Sequence, residues 1–150
     1  MIESISHITF IVKNVKQSAE LFRSVFNAEE IYDSSKMNFS VAYEKFFLIG
    51  GIWIAIMEGD PLSERTYNHV AFKVAEADIA DCINKIRKAG LEVFEGRPRI
   101  EGESRSVYFY DFDNHLFELH TGTLNDRLLK YTGGPGPTLA GLPVPEGQED

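Results

Sequence analysis

The sequence predicts an α+β domain made of two copies of a βαβββ module, and two observations support this. The first is a repeated strand motif: residues 6–12 and 68–74 both read polar, His, aliphatic, small, Phe, any residue, Val. Both copies alternate apolar and other residues as a half-buried strand does. The second observation is that the same order of helix, turn and strands follows each copy. The chain therefore carries an internal duplication in which His7 and His69 are equivalent.

Each strand motif is followed by a predicted helix, because apolar residues recur at helical spacing over 15–26 and over 79–86. A helix end, a short turn and a strand follow at 27–32 and at 89–94. The remaining strands are predicted at 39–43, 46–49 and 52–57 in the first module and at 105–110 and 116–120 in the second.

The two modules, about 5–59 and 66–122, are expected to form one domain over 1–131, because half of this size could bury little core alone. A length of 150 residues also suits one ordinary domain. Half of the residues from Gly133 onward are Gly or Pro. Residues 132–150 are therefore predicted to be an extended or disordered tail.

Composition narrows the class of ligand and the compartment. No run of about 18 apolar residues exists, and the N-terminus lacks the basic and apolar regions of a signal peptide. Cys82 is the only cysteine, so a reducing cytoplasm is expected. The net charge of -8 argues against nucleic acid or a membrane surface as partner. A small molecule is the expected ligand.

His7 and His69 are the first candidates for metal ligands. Equivalent positions near a pseudo-twofold axis approach each other, and neutral imidazoles are good donors to a divalent ion. Each histidine could instead be an ordinary hydrogen-bonded core or surface residue. The duplication favours a metal site, because a histidine would otherwise have to occur by chance at the same position of both modules.

The third candidate ligand is Glu118. When the module ends are aligned by their glycines, Glu118 stands opposite Ala55, which cannot bind a metal. Glu118 also lies in a predicted strand among apolar residues, where a carboxylate is costly unless a positive charge meets it. His120, on the same strand and face, competes with it as a ligand. A site with two His, one Glu and open positions indicates catalysis or direct ligand binding.

Two further features could belong to such a site. Glu44 precedes an apolar run and would be an ordinary surface acid unless the fold directs it at the metal. The segment 97–108 holds three arginines beside hydroxyl groups, which suits a phosphate, phosphonate or carboxylate. A solvated loop with surface ion pairs explains this segment equally well. Arg127 follows in a short helix predicted to begin near Thr123.

Three blocks, 44–49, 64–69 and 108–124, resemble the fosfomycin resistance proteins of the vicinal oxygen chelate (glyoxalase-like) superfamily, and most closely their hydrolytic FosX type. The resemblance covers about residues 1–131. It implies an enzyme that opens the epoxide of fosfomycin with water and leaves an inactive diol. It also implies one divalent ion, typically Mn²⁺, held by His7, His69 and Glu118, and acting as a Lewis acid.

The same resemblance assigns roles to other side chains. Glu44 is implied to be the general base that deprotonates water, and Thr9 to hydrogen-bond the oxirane oxygen. The side chains implied to contact or enclose the substrate are Trp53, Tyr67, Arg99, Ser106, Tyr108 and Arg127. The family arrangement is a homodimer in which His7 of one chain meets His69 and Glu118 of the other.

Two other functions remain open. One is a thiol transferase of the same fold, which adds glutathione or a bacillithiol-like thiol to fosfomycin and needs no carboxylate base at Glu44. The other is a non-enzymatic drug-binding protein, like the bleomycin-binding members of the superfamily, which does not need the metal triad. Isomerases of the superfamily are less suitable, because they would usually want a fourth ligand where Ala55 stands.

Overall fold

Two four-stranded sheets, one from each module, form the frame of the molecule. The computed structural model describes residues 1–35, 41–96 and 104–132, with only the backbone of Thr132. Sheet A has the strand order β1-β4-β3-β2 and contains β1 (His7–Val12), β2 (Glu29–Asp33), β3 (Glu44–Ile49) and β4 (Ile52–Glu58). Sheet B has the order β5-β8-β7-β6 and contains β5 (His69–Lys73), β6 (Phe94–Glu95), β7 (Ser106–Tyr110) and β8 (Leu116–His120).

The three helices are α1 (Val15–Phe26), α2 (Ile79–Lys88) and α3 (Leu124–Thr132), and a 3-10 turn (Glu76–Asp78) leads into α2. Capping explains the bounds of α1. The side chain of Asn14 accepts a hydrogen bond from the backbone N–H of Gln17, and Asn27 ends the helix in the left-handed conformation, with φ 52°. None of the helices in the described ranges is long and apolar enough to cross a membrane.

Strand pairing confirms the predicted βαβββ duplication. The first strand of each module pairs in parallel with the last, β1 with β4 and β5 with β8, and the other pairs are antiparallel. Ala55 pairs with Thr9 in sheet A, and Glu118 pairs with Ala71 in sheet B. Because Thr9 and Ala71 each lie two residues after the repeated histidine, Ala55 and Glu118 occupy equivalent places, as predicted.

The strand predicted at 39–43 is wrong over its described part. Residues 41–42 form bends and Tyr43 is irregular, so none of the three belongs to a strand, and 39–40 lie outside the described residues. β2 pairs directly with β3, so the segment between them serves as a connection. Ser34 closes that connection, because its N–H donates to the Glu44 carbonyl oxygen and its Oγ accepts from the Glu44 N–H. The predicted tail, apart from Thr132, also lies outside the described residues.

The core contains side chains of both modules. Phe117 of β8 is fully buried and contacts aromatic rings of both halves. Its ring centroid lies 5.1 Å from Phe10, 6.0 Å from Phe22 and 6.2 Å from Phe72. These rings lie on the helix side of the sheets, so the opposite sheet faces carry other side chains. Below, "open face" means the face of each sheet turned away from the helices.

A charged cluster lies on the helix side of sheet A. The Nζ of Lys45, whose side chain is 9% exposed, lies 2.8 Å from Oδ2 of Asp33 and 2.7 Å from Oε1 of Glu30. Burial lowers the pKa of Lys45, but the hydrogen bonds to Asp33 and Glu30 outweigh it and raise the pKa. The hydrogen bond from Lys45, with others from Ser35, holds the pKa of Asp33 well below its ordinary value. The side chain of Lys45 lies on the helix side of sheet A. Because neighbouring residues of a strand face opposite sides, the side chain of Glu44 lies on the open face.

We expect Asp33→Asn to lower the free energy of unfolding by about 1–3 kcal/mol at pH 7, since it removes a charged hydrogen-bond partner of Lys45. The pKa of Asp33 is lower in the folded protein than in the unfolded chain, where it is about 3.9. The stability that Asp33 contributes is therefore complete above the unfolded pKa and is lost as pH falls toward the folded pKa. The difference between variant and wild type should therefore shrink between about pH 5 and pH 2. Urea unfolding across this range measures it.

Asp81→Asn is the matched control, because Asp81 also pairs with a lysine, Lys85, but its side chain is 65% exposed. The control should change stability little at any pH. Equal effects from the two variants would contradict the assignment of the Lys45 cluster.

Candidate active site

His69 and Glu118 come together on the open face of sheet B. β5 and β8 are adjacent parallel strands, and Nε2 of His69 lies 3.0 Å from Oε2 of Glu118. Nδ1 of His69 lies 2.8 Å from the carbonyl oxygen of Tyr67. A carbonyl oxygen only accepts, so Nδ1 carries the proton and donates it. In a neutral ring, the lone pair of Nε2 then faces the carboxylate.

Two acceptors 3.0 Å apart repel each other unless a cation joins them. Donor atoms that each lie about 2.1 Å from a shared ion, at a right angle, are about 3.0 Å apart. Glu118 gives a second indication that a cation binds here. The residue is only 3% exposed, and its Oε1 has no hydrogen-bond partner among the described residues. A buried carboxylate oxygen of this kind is costly unless an ion or a ligand meets it. These two side chains fit a divalent metal.

The same open face lines a cavity of about 770 Å³. Besides the two candidate ligands, Tyr67, Ser106, Tyr108 and Arg127 line it. Burial, together with a hydrogen bond to Tyr67 and the charge of Glu118, raises the pKa of Tyr108 well above its ordinary value. Tyr108 therefore stays a neutral phenol, which can donate a hydrogen bond to an anion.

Arg127 reaches the cavity because α3 begins with a reciprocal cap. Oγ1 of Thr123 accepts from the N–H of Asp126, and Oδ2 of Asp126 accepts from the N–H and the hydroxyl of Thr123. The hydrogen bonds from Thr123 lower the pKa of Asp126, which keeps the cap ionised. This start of α3, one residue from the predicted Thr123, places Arg127 in the first turn of the helix, where it lines the cavity.

Four predicted site residues lie instead in sheet A. His7, Thr9, Glu44 and Trp53 belong to strands β1, β3 and β4, and strand alternation places them on its open face. The rings of His7 and Trp53 are in contact, with centroids 4.4 Å apart. Glu44 is 9% exposed and pairs with Met57, which in turn pairs with Ile11 of the histidine strand.

Within one chain, therefore, the predicted site is divided. Sheet B holds His69 and Glu118, and sheet A holds His7. Across the described residues, no group of three His, Cys, Asp or Glu side chains is arranged to hold a metal ion. His120, the competing ligand, uses Nδ1 for a hydrogen bond of 2.8 Å with Ser106. Arg99 lies outside the described residues, and Arg105 forms an ion pair with Glu95 at 3.3 Å.

Some cavity residues were not anticipated. Alternation along β7 and β8 and helical spacing along α3 could have indicated all but Phe94, since the other four lie two to four residues from a predicted site residue. The side chains concerned are Phe94, Tyr110, Leu116, Lys130 and Tyr131.

Comparison with known proteins confirms the predicted resemblance. The family model of the Glyoxalase/Bleomycin resistance protein/Dioxygenase superfamily matches residues 4–119. Fosfomycin resistance protein FosX of Listeria monocytogenes is 56% identical, with 87% of this chain and 98% of that protein covered. FosX of Mesorhizobium japonicum is 52% identical, with 89% and 96% covered. Metallothiol transferase FosB of Staphylococcus haemolyticus is less similar, at 37% identity, with 87% and 92% covered.

Solved structures agree with these relatives. A variant of L. monocytogenes FosX, in complex with Mn(II) and 1S,2S-dihydroxypropylphosphonic acid, has a TM-score of 0.78 to this chain at 53% identity, with 87% of this chain and 99% of that chain covered. FosX of the same organism in complex with Mn(II) and sulfate has a TM-score of 0.77 at 53% identity, with the same coverage. Both neighbours thus combine a divalent metal with a tetrahedral anion.

Proposed function

We propose that this chain, which belongs to the glyoxalase/bleomycin resistance protein/dioxygenase superfamily, is a manganese-dependent hydrolase that opens the epoxide of fosfomycin with water. The observation that carries the proposal is a single cavity that combines a His69–Glu118 pair suited to a cation with hydrogen-bond donors suited to an anion. The ligand in the related FosX structure is the diol that results when water adds across the epoxide of a propylphosphonate.

The metal site is completed by a second copy of the chain. His7 occupies the place in sheet A that His69 occupies in sheet B, so two open faces that meet about a twofold axis bring the histidines together. His7 of one chain would then join His69 and Glu118 of the other. When bound, Mn²⁺ supplies Lewis acidity to the opening epoxide. His7, Thr9 and Trp53, which do not line the sheet B cavity, enter the site through this pairing.

Substrate is held through its phosphonate. Ser106, Tyr108 and Arg127 present a hydroxyl, a neutral phenol and a guanidinium to the same cavity, and all three donate hydrogen bonds to phosphonate oxygens. Arg99 adds a further cation to this anchor. Tyr67 and Trp53 form walls around the hydrocarbon part, one from each sheet.

Glu44 acts as general base. It removes a proton from water as the water oxygen bonds to an epoxide carbon and the carbon–oxygen bond of the ring breaks. Thr9 donates a hydrogen bond to the ring oxygen, and the proton that Glu44 took from water returns through solvent to this oxygen, which becomes a hydroxyl. Glu44 and Ser106 hold equivalent positions in the two sheets. Glu44 lies two residues before Phe46, which pairs with Ala55, and Ser106 lies two residues before Tyr108, which pairs with Glu118. When the two open faces meet, the general base Glu44 and the phosphonate contact Ser106 therefore approach the substrate from opposite sides of the twofold-like axis.

A thiol-free assay tests the proposed reaction. The protein is loaded with Mn²⁺ and incubated with fosfomycin, with and without glutathione or bacillithiol, and the product is identified by phosphorus NMR. We expect the diol without any thiol and no change of product when thiol is added. A strict thiol requirement would instead indicate a transferase, and saturable binding without turnover would indicate a drug-binding protein. The single buried cysteine, Cys82, supports a cytoplasmic location for this reaction.

A further inference from the structure

We propose that His120 is a positioning residue that turns the hydroxyl of Ser106 toward the bound phosphonate. This inference rests on the proposed function, because it concerns the anion-binding part of the same cavity. Both side chains line that cavity, on the neighbouring strands β7 and β8, where Ser106 pairs directly with His120.

The contact between the two residues is short and sheltered. Nδ1 of His120 lies 2.8 Å from Oγ of Ser106, and the Ser106 residue is 6% exposed. A serine hydroxyl has one proton and two lone pairs. If Ser106 donates to Nδ1, its lone pairs face the cavity and repel a phosphonate oxygen. If Ser106 accepts from Nδ1, its proton is left to donate to the phosphonate.

A bound phosphonate decides between these two directions. Its oxygens only accept, so Ser106 can bind the anion only through its own hydroxyl proton. In that complex Nδ1 of His120 carries a proton and donates it to Oγ of Ser106. This leaves the Ser106 hydroxyl proton directed at the cavity.

The other side of the ring is also constrained. A Cβ built on Gly122 would clash with Cβ of Ser104 and lie 2.9 Å from Nε2 of His120, so Gly122 packs closely against both residues. The ring thus has a defined place between Ser106, Glu118 and Gly122. A defined place is what a residue needs if it is to set the direction of a neighbour's hydrogen bond.

The test compares His120→Leu, which removes the donor, with His120→Asn, whose amide nitrogen can replace Nδ1. For His120→Leu we expect KM for fosfomycin to rise about tenfold or more, with kcat changed far less, because a hydrogen bond to a charged group is lost from the substrate complex. Ser106→Ala should have a similar effect, and His120→Leu should add little to it. His120→Asn should restore most of the KM.

Two binding measurements distinguish a failure of the proposed function from a failure of the positioning role. They are the affinity for Mn²⁺ and the binding of unreactive propylphosphonate to the Mn²⁺-loaded protein. Mn²⁺ affinity should be unchanged in His120→Leu, whereas propylphosphonate should bind about tenfold or more weakly. If the wild type fails to bind propylphosphonate, the proposed function is wrong. If the wild type binds it and His120→Leu binds it equally well, the positioning role is wrong. Loss of Mn²⁺ affinity, no restoration by Asn, or full additivity with Ser106→Ala would also overturn it.

Discussion

Replacing Glu44 with Gln is expected to lower kcat for fosfomycin hydrolysis by about 10²- to 10⁴-fold and to leave Mn²⁺ affinity unchanged. Gln keeps the volume and the polar character of the side chain but cannot accept a proton from the attacking water. Glu44 lies at the start of β3, in the opposite module from Glu118, and is not one of the proposed ligands. The loss should therefore fall on the chemical step, and KM should change little.

Measurement of kcat, KM and Mn²⁺ affinity on the same preparations tests this expectation. Glu29→Gln is a suitable control, since Glu29 is an exposed acid on the neighbouring strand β2. The control should keep wild-type kcat. A kcat for Glu44→Gln within threefold of wild type would exclude Glu44 as the general base, and weaker Mn²⁺ binding would show that it serves the metal instead.

Two inactive variants should regain activity when they are combined in one dimer. His7→Ala and Glu118→Ala are each expected to lower kcat/KM by about 100-fold or more, because each removes one metal ligand. In a mixed dimer, one of the two shared sites carries both changes and the other carries neither. About half of the dimers formed at random are mixed, so the co-expressed pair should show about a quarter of wild-type activity.

Co-expression of His69→Ala with Glu118→Ala is the matched control. Both of these ligands belong to sheet B, so every site in every dimer lacks one of them and no activity should return. Co-expressed variants, purified through different tags on the two chains, allow the mixed dimer to be assayed alone. If the His7 and Glu118 variants fail to complement, the metal site does not combine His7 of one chain with Glu118 of another.

Predictions from the sequence were most accurate for features that depend on a local pattern. Apolar spacing and two asparagine caps define α1, and its predicted bounds, Val15–Phe26, are those of the structure. Alignment of the module ends by their glycines also predicted the equivalence of Ala55 and Glu118, because each lies the same number of residues before its glycine. The additional strand predicted at 39–43 was wrong at its described residues, 41–43, since β-propensity does not tell a connection from a strand that has a pairing partner.

The tertiary structure decided what depends on contacts between distant segments. The sequence by itself determined that His7, His69 and Glu118 are the candidate ligands, because residue type, repeat position and strand alternation can be read along the chain. The resemblance implied that His7 comes from a different chain than His69 and Glu118, and the structure places His7 in sheet A and the other two in sheet B. Only the structure placed Nδ1 of His120 against Ser106, and left Oε1 of Glu118 buried without a partner in the described residues. Strand order and side-chain approach fix these relations, and neither follows from local periodicity.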